Sequence, residues 1–455
     1  MNSDSQTSWK SMPLEEWMAA IIDYRGKTPE KTSSGIPLIT AKIVKGGRIA
    51  APDEFIAEEA YEQWMRRGIP EPGDVVLTTE APLGEVAQLD GRKVALAQRI
   101  ITLRGKPELL DNTYLKFALQ SSSIQEQLHG RASGSTVTGI KQSELRKLQL
   151  SFPSIQEQKR VAKILGSIDN KIDLNRRINQ TLEAMAQAIF KSWFVDFDPV
   201  KAKVAAKQEG RDPLRAAMSA ISGKPDAELD TLQIEKYDAL ATAAALFPDA
   251  IEASELGEIP KGWTVKSVSD IAKFAVGKIE VSALNSDNYI STENMLENRD
   301  GVSRATSLPA VATVPCFSKG QVLISNIRPY FKKIWLARFD GGRSADVLAF
   351  DAVDAHCSEF LYNLLYQDEF FEFMMRTSKG AKMPRGDKAA IAGWQFSCAD
   401  RDVRKLFSEK VLPYYSYIES LNIEAQRLLA LRDTLLPKLL SGELTLTDAM
   451  TEVEA

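Results

Sequence analysis

The sequence predicts an α+β protein: two mixed α/β domains, each followed by one long helix, with the two helices packed against each other. Three observations support this prediction. A long amphipathic segment lies near the middle of the chain, and a second segment with the same apolar spacing lies near its end. Both are preceded by short alternating strands broken by Gly and Pro. The 455 residues therefore repeat one plan of domain and helix, which makes an internal pseudo-repeat.

The first long helix is predicted within residues 151–199. Ser154 and Glu157 form a capping-box pattern at its start. Seam positions then recur every three or four residues, as in a coiled coil, at Leu165, Ile168, Ile172, Asn175, Asn179, Leu182, Ala186, Ile189 and Trp193. We expect the two asparagines to fix the register of helix pairing at some cost in stability. The alternative is that they face helices of partner proteins.

The second long helix is predicted within residues 399–442, where the same spacing recurs after a shift of 246 residues. Its seam positions are Val411, Tyr414, Ile418, Leu421, Ala425, Leu428, Arg432, Leu435 and Leu439. Because the two helices share a seam and occupy the same place in two halves of the chain, we expect them to pair with each other. Residues 443–455 follow as a tail.

The two α/β domains are predicted at residues 1–150 and 261–398. The segment "PGDVVLTTEAPLG" from Pro72 has the same turn and strand pattern as "SKGQVLISNIRPYF" from Ser318. Short alternating runs broken by Gly and Pro indicate strand-rich domains with many loops. Between them, residues 200–260 form an acidic, alanine-rich linker. Its composition favours a solvated connector over a partner-binding segment.

Composition narrows the functional classes. No apolar run is long enough to span a membrane and the first residues contain no apolar signal region, so we expect a cytoplasmic protein. The three cysteines are odd in number and far apart, which favours reduced thiols, and no spacing is typical of a metal site. Residues 1–150 carry 19 basic and 19 acidic side chains, and residues 261–400 carry 17 and 16. The net charge of −4 therefore comes from the linker and the tail, and leaves the domains free to form local basic patches.

The sequence contains no recognisable catalytic signature. "RGKTP" at residues 25–29 resembles the end of a phosphate loop, but Ile21 stands where the first glycine belongs. "NIRPYF" at residues 326–331 is only superficially similar to the motif with which adenine methyltransferases hold their target amine. His129 and His356 have no partner motif, so a packing or loop role is favoured over catalysis. These absences predict a binding protein without catalytic activity.

Basic, glycine-containing loops precede each long helix and are the candidate DNA-binding segments. In the first domain the candidates are Lys42, Lys45, Arg48, Arg131, Ser135, Thr136 and Lys141. In the second they are Asn326, Arg328, Tyr330, Lys332, Arg376, Lys379, Lys382 and Arg385. Basic side chains position a phosphate backbone, and Asn, Ser and Arg can also read base edges. Taken singly, each run could equally be a solvated charged loop.

The long helices and several loops resemble one protein family. "FPSIQEQKRVAKILGSIDNKIDLNRRINQTLEAMAQAIFKSWFVDFDPV" is similar to the central conserved region of specificity subunits of type I restriction-modification systems, and "LRDTLLPKLLSGEL" is similar to the end of their second conserved region. "GKTP", "GSTVTGIKQSELRKLQLSFP", "SNIRPYFKKIWLA" and "GGRSADVLAF" also resemble that family. The resemblance covers nearly the whole chain.

The resemblance implies a sequence-specific DNA-recognition subunit without catalysis of its own. Residues 1–150 and 261–398 would be target recognition domains, each reading one half of a split sequence, and the two long helices would form an antiparallel coiled coil between them. The implied partners are duplex DNA, two methyltransferase subunits that bring S-adenosylmethionine, and restriction subunits that bring ATP- and Mg-dependent translocation. Base-reading residues vary within the family, so the candidates above come from loop chemistry alone.

Helix length suggests what the coiled coil does. A helix of about 40 residues is roughly 60 Å long at 1.5 Å per residue, which equals about 17 base pairs of rise. The helices would then act as a ruler between the half-sites. The second domain's "RTSKGAKMPRGDKAAI" is more basic than the first domain's "RASGSTVTGIKQSEL", which predicts that the two domains contact DNA differently. A coiled-coil structural adaptor and a self-contained DNA-modifying enzyme are the alternative functions.

Overall fold

The computed structural model describes residues 9–26, 28–134 and 138–444, which fold as two units. The first unit comprises Met1–Asn175 and Ile423–Ala455, and the second comprises Arg176–Asn422. Each long helix contributes one part to each unit.

Among its described residues, the first unit begins with eleven short strands and five short helices. The strands are β1 (Lys10–Pro13), β2 (Met18–Asp23), β3 (Ile36–Ile39), β4 (Val44–Lys45), β5 (Arg48–Ile49), β6 (Phe55–Ile56), β7 (Val75–Thr79), β8 (Leu83–Gln88), β9 (Ala95–Leu96), β10 (Ile100–Gly105) and β11 (Gln149–Phe152). The helices are α1 (Leu14–Trp17), α2 (Tyr61–Trp64), α3 (Asn112–Gln120), α4 (Ser122–Gly130) and α5 (Gln142–Leu145), with a 3₁₀ turn at Glu58–Ala60.

The first long helix and a group of shorter elements follow. They are α6 (Ile155–Phe194), α7 (Asp198–Gln208), α8 (Pro213–Ser222), α9 (Asp226–Leu229), α10 (Ile234–Ala245), β12 (Ile251–Ser254) and β13 (Gly257–Pro260).

The second α/β region repeats the element pattern of the first. Its strands are β14 (Thr264–Ser267), β15 (Ala272–Phe274), β16 (Lys278–Glu280), β17 (Tyr289–Ile290), β18 (Thr313–Phe317), β19 (Val322–Ser325), β20 (Ile334–Leu336), β21 (Gly341–Arg343), β22 (Val347–Ala352) and β23 (Gln395–Cys398). Its helices are α11 (Val268–Ile271), α12 (Ser358–Leu365), α13 (Asp368–Arg376), α14 (Lys388–Ala392) and the long α15 (Arg401–Ser441). Short 3₁₀ turns lie at Val281–Ala283, Glu297–Arg299 and Pro329–Phe331.

The two units contain the same main sheet in the same register. The first unit orders its antiparallel strands β2-β10-β7-β8, and the second orders them β15-β22-β19-β20. Ile101 faces Leu77 in the first sheet. Leu348 faces Ile324, the residues 247 positions later, in the second. The predicted pseudo-repeat therefore extends to individual strand pairs.

Each main sheet is covered by helices because its central strands are apolar on both faces. All five residues of β7 are buried, and so are all four of β19. Helix α3 packs its apolar residues into the first-unit core, and α12 does the same in the second. Since β-branched and apolar side chains alternate across a strand, burial of both faces needs cover on both sides. A second small sheet, β6-β3-β9 or β16-β18-β21-β17, provides part of the remaining fold in each unit.

The long helices pack against each other along the predicted seam. In the first unit Leu165 and Ile172 of α6 share a core with Leu435 and Leu439 of α15. In the second unit Phe190, later in α6, shares a core with residues near the start of α15. The beginning of one helix thus lies with the end of the other, so the pairing is antiparallel. All eighteen predicted seam side chains are buried or part-buried.

Both seam asparagines bond to the opposite long helix. The side-chain amide of Asn175 donates to Glu424 Oε2 at 2.6 Å in the first unit. The amide of Asn179 donates to Asn422 Oδ1 at 2.7 Å in the second. A sequence shift of one residue would break such directed contacts, which favours the role in fixing register over the alternative of facing partner helices.

Residues 200–260 are not a solvated connector. Val200 of α7, Met218 of α8 and Phe247, which follows α10, are buried in the same core as Trp193 and Trp263. The Lys203 ammonium, itself buried, donates to the carbonyl of Phe247 at 2.6 Å, and this burial lowers its pKa. Composition overstated the solvent contact because acidic residues on the outer faces mask an apolar stripe on the inner faces. This segment is therefore part of the second unit.

Other sequence expectations concern membranes, metals and cysteines. Over the described ranges, no helix combines the length and the apolar character that crossing a bilayer requires. Nor do the described residues hold a group of His, Cys, Asp and Glu side chains suited to a metal ion. Cys357 and Cys398 are buried free thiols and Cys316 is a part-buried one, as expected.

Candidate nucleic-acid interface

Two predicted binding segments of the second unit meet. We name residues 326–329, after strand β19, the second-unit corner, and residues 377–388 the second-unit loop. The Arg328 N–H donates to the Pro384 carbonyl at 2.8 Å, and the Gly386 N–H donates to the Asn326 carbonyl at 3.0 Å. Ile327 and Arg385 form a β-bridge between these hydrogen bonds. The corner and the loop therefore form one backbone-bonded surface.

Local sequence explains this geometry. Gly380 has a φ of +97°, which allows the loop to turn back on itself. A Cβ atom at position 386 would lie 2.6 Å from Asn326 Oδ1, so only glycine allows this close approach. Arg328 itself takes a left-handed conformation, with φ of 51° and ψ of 63°, before Pro329. Such conformations persist in non-glycine residues only where the surrounding bonds fix them.

The first unit contains the same bridged contact between a corner and a loop. We name residues 79–82 the first-unit corner, and residues 131–134 with 138–141 the first-unit loop. Glu80 bridges Gly139, and Gly139 bridges Ser133, as Ile327, Arg385 and Lys379 do in the second unit. The sequence shift between matching positions is 246 or 247 residues. Predicted candidates Ser135 and Thr136 lie outside the described residues.

One contact to the first-unit loop was missed by sequence reasoning. The Arg25 guanidinium donates from Nη2 to the Ile140 carbonyl at 2.7 Å. Arg67 Nη1 in turn donates to the carbonyls of Asp23 and Arg25. Arg25 of "RGKTP" thus lies beside the first-unit loop. No spacing rule connects residues 25 and 140, so only the fold could reveal this contact.

Six candidate cations are paired with carboxylates inside the chain. The pairs are Lys42–Asp53, Arg48–Asp173, Arg131–Glu144, Lys332–Asp368, Lys379–Asp387 and Arg385–Asp346. Hydrogen bonding in the Lys379 pair raises the pKa of Lys379 and lowers that of Asp387, and the Lys42 pair behaves alike. Ion pairs at exposed sites contribute little to stability because water screens them, so a DNA phosphate can compete with the carboxylate.

Arg48 is the candidate whose position differs most from the prediction. Its guanidinium Nε lies 2.6 Å from Asp173 on helix α6, and its side chain is only 22% exposed. Arg48 therefore fastens the β4-β5 hairpin to the long helix. Its neighbour Lys45 is exposed, next to the Gly46 and Gly47 turn, and is better placed to reach a phosphate.

Four other candidates are exposed cations without an ion pair among the described residues: Lys45, Lys141, Arg376 and Lys382. Tyr330, the residue after the second-unit corner, is 48% exposed and offers an aromatic face. Asn326 is 4% exposed, and its Oδ1 has no hydrogen-bond partner within the described chain; the same holds for Arg328 Nε. Because unmade hydrogen bonds at buried atoms are costly, the second-unit corner has polar atoms suited to an external partner.

The comparisons with known proteins agree on one family. A family model described as "Type I restriction modification DNA specificity domain" matches residues 8–184. The HindI specificity subunit of Haemophilus influenzae is 31% identical over 319 residues, which cover 65% of this chain and 69% of that one. The MjaIX specificity subunit of Methanocaldococcus jannaschii is 27% identical over 55% of this chain and 48% of that one.

A solved structure has the same fold. The S subunit of a type I restriction-modification system from M. genitalium aligns over 97% of this chain and 98% of its own, with a TM-score of 0.51 and 16% sequence identity. At that identity the likeness concerns the fold alone, whereas the HindI relative shows the family. The chain belongs to the specificity subunits of type I restriction-modification systems, the subunits that recognise DNA.

Proposed function

We propose that this subunit reads a split DNA target, with each corner and loop pair contacting one half-site. The observation that carries the proposal is that the corner and loop contact occurs in both units. The same strand pairs, bridges and backbone hydrogen bonds recur after a shift of 246 or 247 residues. Loops held on rigid sheets are common sites of recognition, since the sheet fixes the position of side chains that reach base edges.

The two long helices would set the distance between the half-sites. Each spans 40 or 41 residues, which corresponds to about 60 Å of helix. Their antiparallel pairing and the directed bonds of Asn175 and Asn179 hold one register. A fixed register would give a fixed spacer between half-sites.

Catalysis would come from partner subunits. We expect methyltransferase subunits, two per complex, to bring S-adenosylmethionine, and restriction subunits to bring ATP and Mg. The exposed outer faces of the long helices support docking of partner helices, since they carry large apolar side chains at Leu174, Met185, Leu412, Tyr417 and Ile423. The chain itself would neither methylate nor cut, and a cytoplasmic location with access to chromosomal DNA stays a prediction.

A methylome comparison tests the proposed function. Cells carrying this gene with its neighbouring restriction-modification genes, and cells in which this gene alone is deleted, would be sequenced for modified adenines. We expect a split motif with a modified adenine in each half, present only with the gene. A coiled-coil adaptor would leave no motif that depends on this gene. A self-contained enzyme would modify DNA when the purified chain alone receives S-adenosylmethionine.

A further inference from the structure

We propose that Arg99 and Arg385 are the residues that read a guanine edge, one in each half-site, and that Glu80 and Asp346 hold them in position. This inference rests on the proposed reading of a split target. It follows from two arginine–carboxylate pairs at matching places in the repeat, which sequence reasoning did not connect.

In the second unit the proposed guanine-reading arginine, Arg385, lies in the second-unit loop. Arg385 Nη2 lies 2.6 Å from Asp346 Oδ1, and the side chain of Arg385 is 58% exposed. Asp346 directly precedes strand β22, and its carbonyl accepts a hydrogen bond from the Asn326 N–H at 2.8 Å. The carboxylate is therefore fixed to the end of the sheet, and it holds one nitrogen of a guanidinium whose other side faces solvent.

In the first unit the proposed guanine-reading arginine, Arg99, lies directly before strand β10. Arg99 has a φ of +72°, and its carbonyl accepts from the Thr79 N–H at 2.8 Å. Its Nε lies 2.9 Å from Glu80 Oε1, and its side chain is 51% exposed. Because the pair uses Nε, the two terminal nitrogens are free to make a bidentate contact.

The two pairs occupy equivalent three-way junctions, one in each unit, with the roles of the segments exchanged. Strand end, corner and loop carry Arg99, Glu80 and Gly139 in the first unit. The matching positions carry Asp346, Ile327 and Arg385 in the second. A Cβ atom on Gly139 would lie 3.0 Å from the Glu80 Cβ, so the glycine leaves space for the carboxylate. Each unit thus presents one guanidinium paired with a carboxylate at its own junction, carried by the strand end in the first unit and by the loop in the second.

This chemistry points to guanine. Guanine offers O6 and N7 as two adjacent acceptors in the major groove, and a guanidinium with two parallel donors matches them. A carboxylate behind the arginine reduces the rotamer freedom that binding would otherwise have to restrict. A phosphate contact needs only positive charge, which exposed lysines nearby such as Lys382 supply.

The test uses the full complex in cells, read as the modified motif. Arg385→Ala should relax a G·C position in one half-site by about 10-fold or more, the loss expected for one bidentate pair. Arg99→Ala should relax a G·C position in the other half-site only. Arg385→Lys keeps the positive charge but removes the two parallel donors of the guanidinium, so it should relax the same position. If Arg385 contacted only a phosphate, this variant should keep the wild-type motif.

The carboxylates give a second readout. Asp346→Asn keeps the side-chain shape and removes the negative charge, so it should weaken discrimination at the position read by Arg385 and leave other positions unchanged. Arg401→Ala and Arg92→Ala are matched controls, because each removes an exposed arginine paired with a carboxylate away from the junction. Both controls should keep the wild-type motif.

Two results would overturn the inference while the proposed function stands. The first is a split wild-type motif with a half-site that contains no G·C pair. The second is an unchanged motif in the folded Arg99→Ala and Arg385→Ala complexes. If the wild-type complex yields no split motif, the proposed function itself fails.

Discussion

The two long helices add a buried ion cluster to their apolar seam in the first unit, and a cluster of aromatic rings in the second. In the first unit Asp169, 8% exposed, lies between Lys116 Nζ at 2.5 Å and Arg432 Nη1 at 3.1 Å. In the second unit Phe190, 1% exposed, lies within 5.6 Å, centroid to centroid, of Phe360 and Phe407. One seam pattern therefore supports two kinds of core.

Further contacts extend this difference. Glu424 in the first unit accepts from Asn175 and lies 3.4 Å from Lys171 Nζ. In the second unit the aromatic cluster comprises Phe190, Trp193, Phe194, Trp263, Phe360 and Phe407. Charged groups specify partners and register but cost desolvation, while rings contribute mainly through buried area. The comparison indicates that the first unit supplies more of the charged contacts that fix alignment, and that the second supplies more of the buried aromatic area.

The largest expected effect is the loss of a ring from the aromatic cluster. Phe190→Ala should destabilise the second unit by about 3–5 kcal/mol, the usual cost of removing a buried Phe. Hydrogen exchange followed peptide by peptide would measure it, because each unit can open separately. Met185→Ala, on the same helix and 44% exposed, is the control and should change little. Equal loss of protection in both units would contradict the assignment of Phe190 to one core.

Removal of Asp169 should have a slightly smaller effect, confined to the first unit. Asp169→Ala leaves Lys116 and Arg432 without their shared carboxylate, which should cost about 3 kcal/mol, the low end for a broken buried pair. Thermal unfolding and hydrogen exchange of the α6 and α15 peptides would measure the loss. Asn170→Ala, at the exposed neighbouring position, is the control.

Replacement of Lys116, Asp169 and Arg432 together tests whether these buried charges fix the alignment of the long helices. The triple variant Lys116→Met, Asp169→Leu and Arg432→Met should be as stable as the wild type, or more stable, because no charge is left buried. If the ions fix alignment, this variant should keep its fold and accept more than one spacer length in the methylome. An unchanged single spacer would show that the ions are not needed for alignment.

A charge in the part-buried middle of the seam should have a moderate effect. Leu182→Asp should cost about 1–3 kcal/mol, since an unpaired carboxylate would lie against the other helix. The modified motif should then show loosened spacing with unchanged half-sites. Gln180→Asp places the same charge at an exposed position of the same helix and serves as the control. Changed half-site bases would instead indicate that the helix contacts DNA.

The smallest expected effect is on the pH dependence of the unfolding free energy of the second unit. Burial raises the pKa of Glu183, partly offset by the hydrogen bond that Tyr362 donates to it at 2.7 Å. The folded state thus keeps the proton at pH values where the unfolded carboxyl has lost it, so the unfolding free energy falls as pH rises from the ordinary carboxyl pKa towards the raised one. Glu183→Gln should flatten this slope in a pH series of unfolding measurements. An equally steep slope in the variant would assign the effect to another group.

Sequence periodicity predicted the helices well and the loops only in part. Residues 165, 172 and 435 fall on the seam because a helix repeats every 3.6 residues, a property of local geometry. Arg432 fell on the same seam without explanation, since its partners Lys116 and Asp169 lie far away in the sequence. The basic runs were visible, but their pairing with carboxylates was not.

The sequence by itself determined the repeated plan, the long antiparallel helices and the family. Periodicity and motifs depend on the order of neighbouring residues, so they can be recognised without the folded structure. Only the tertiary structure decided that residues 200–260 contribute side chains to the second-unit core, that Arg48 is bound to Asp173, and that Arg99 and Arg385 each meet a carboxylate at equivalent places in the two units. Those outcomes depend on which distant segments share a surface. Charge and burial at such a surface are set by neighbours in space, which composition and spacing do not encode.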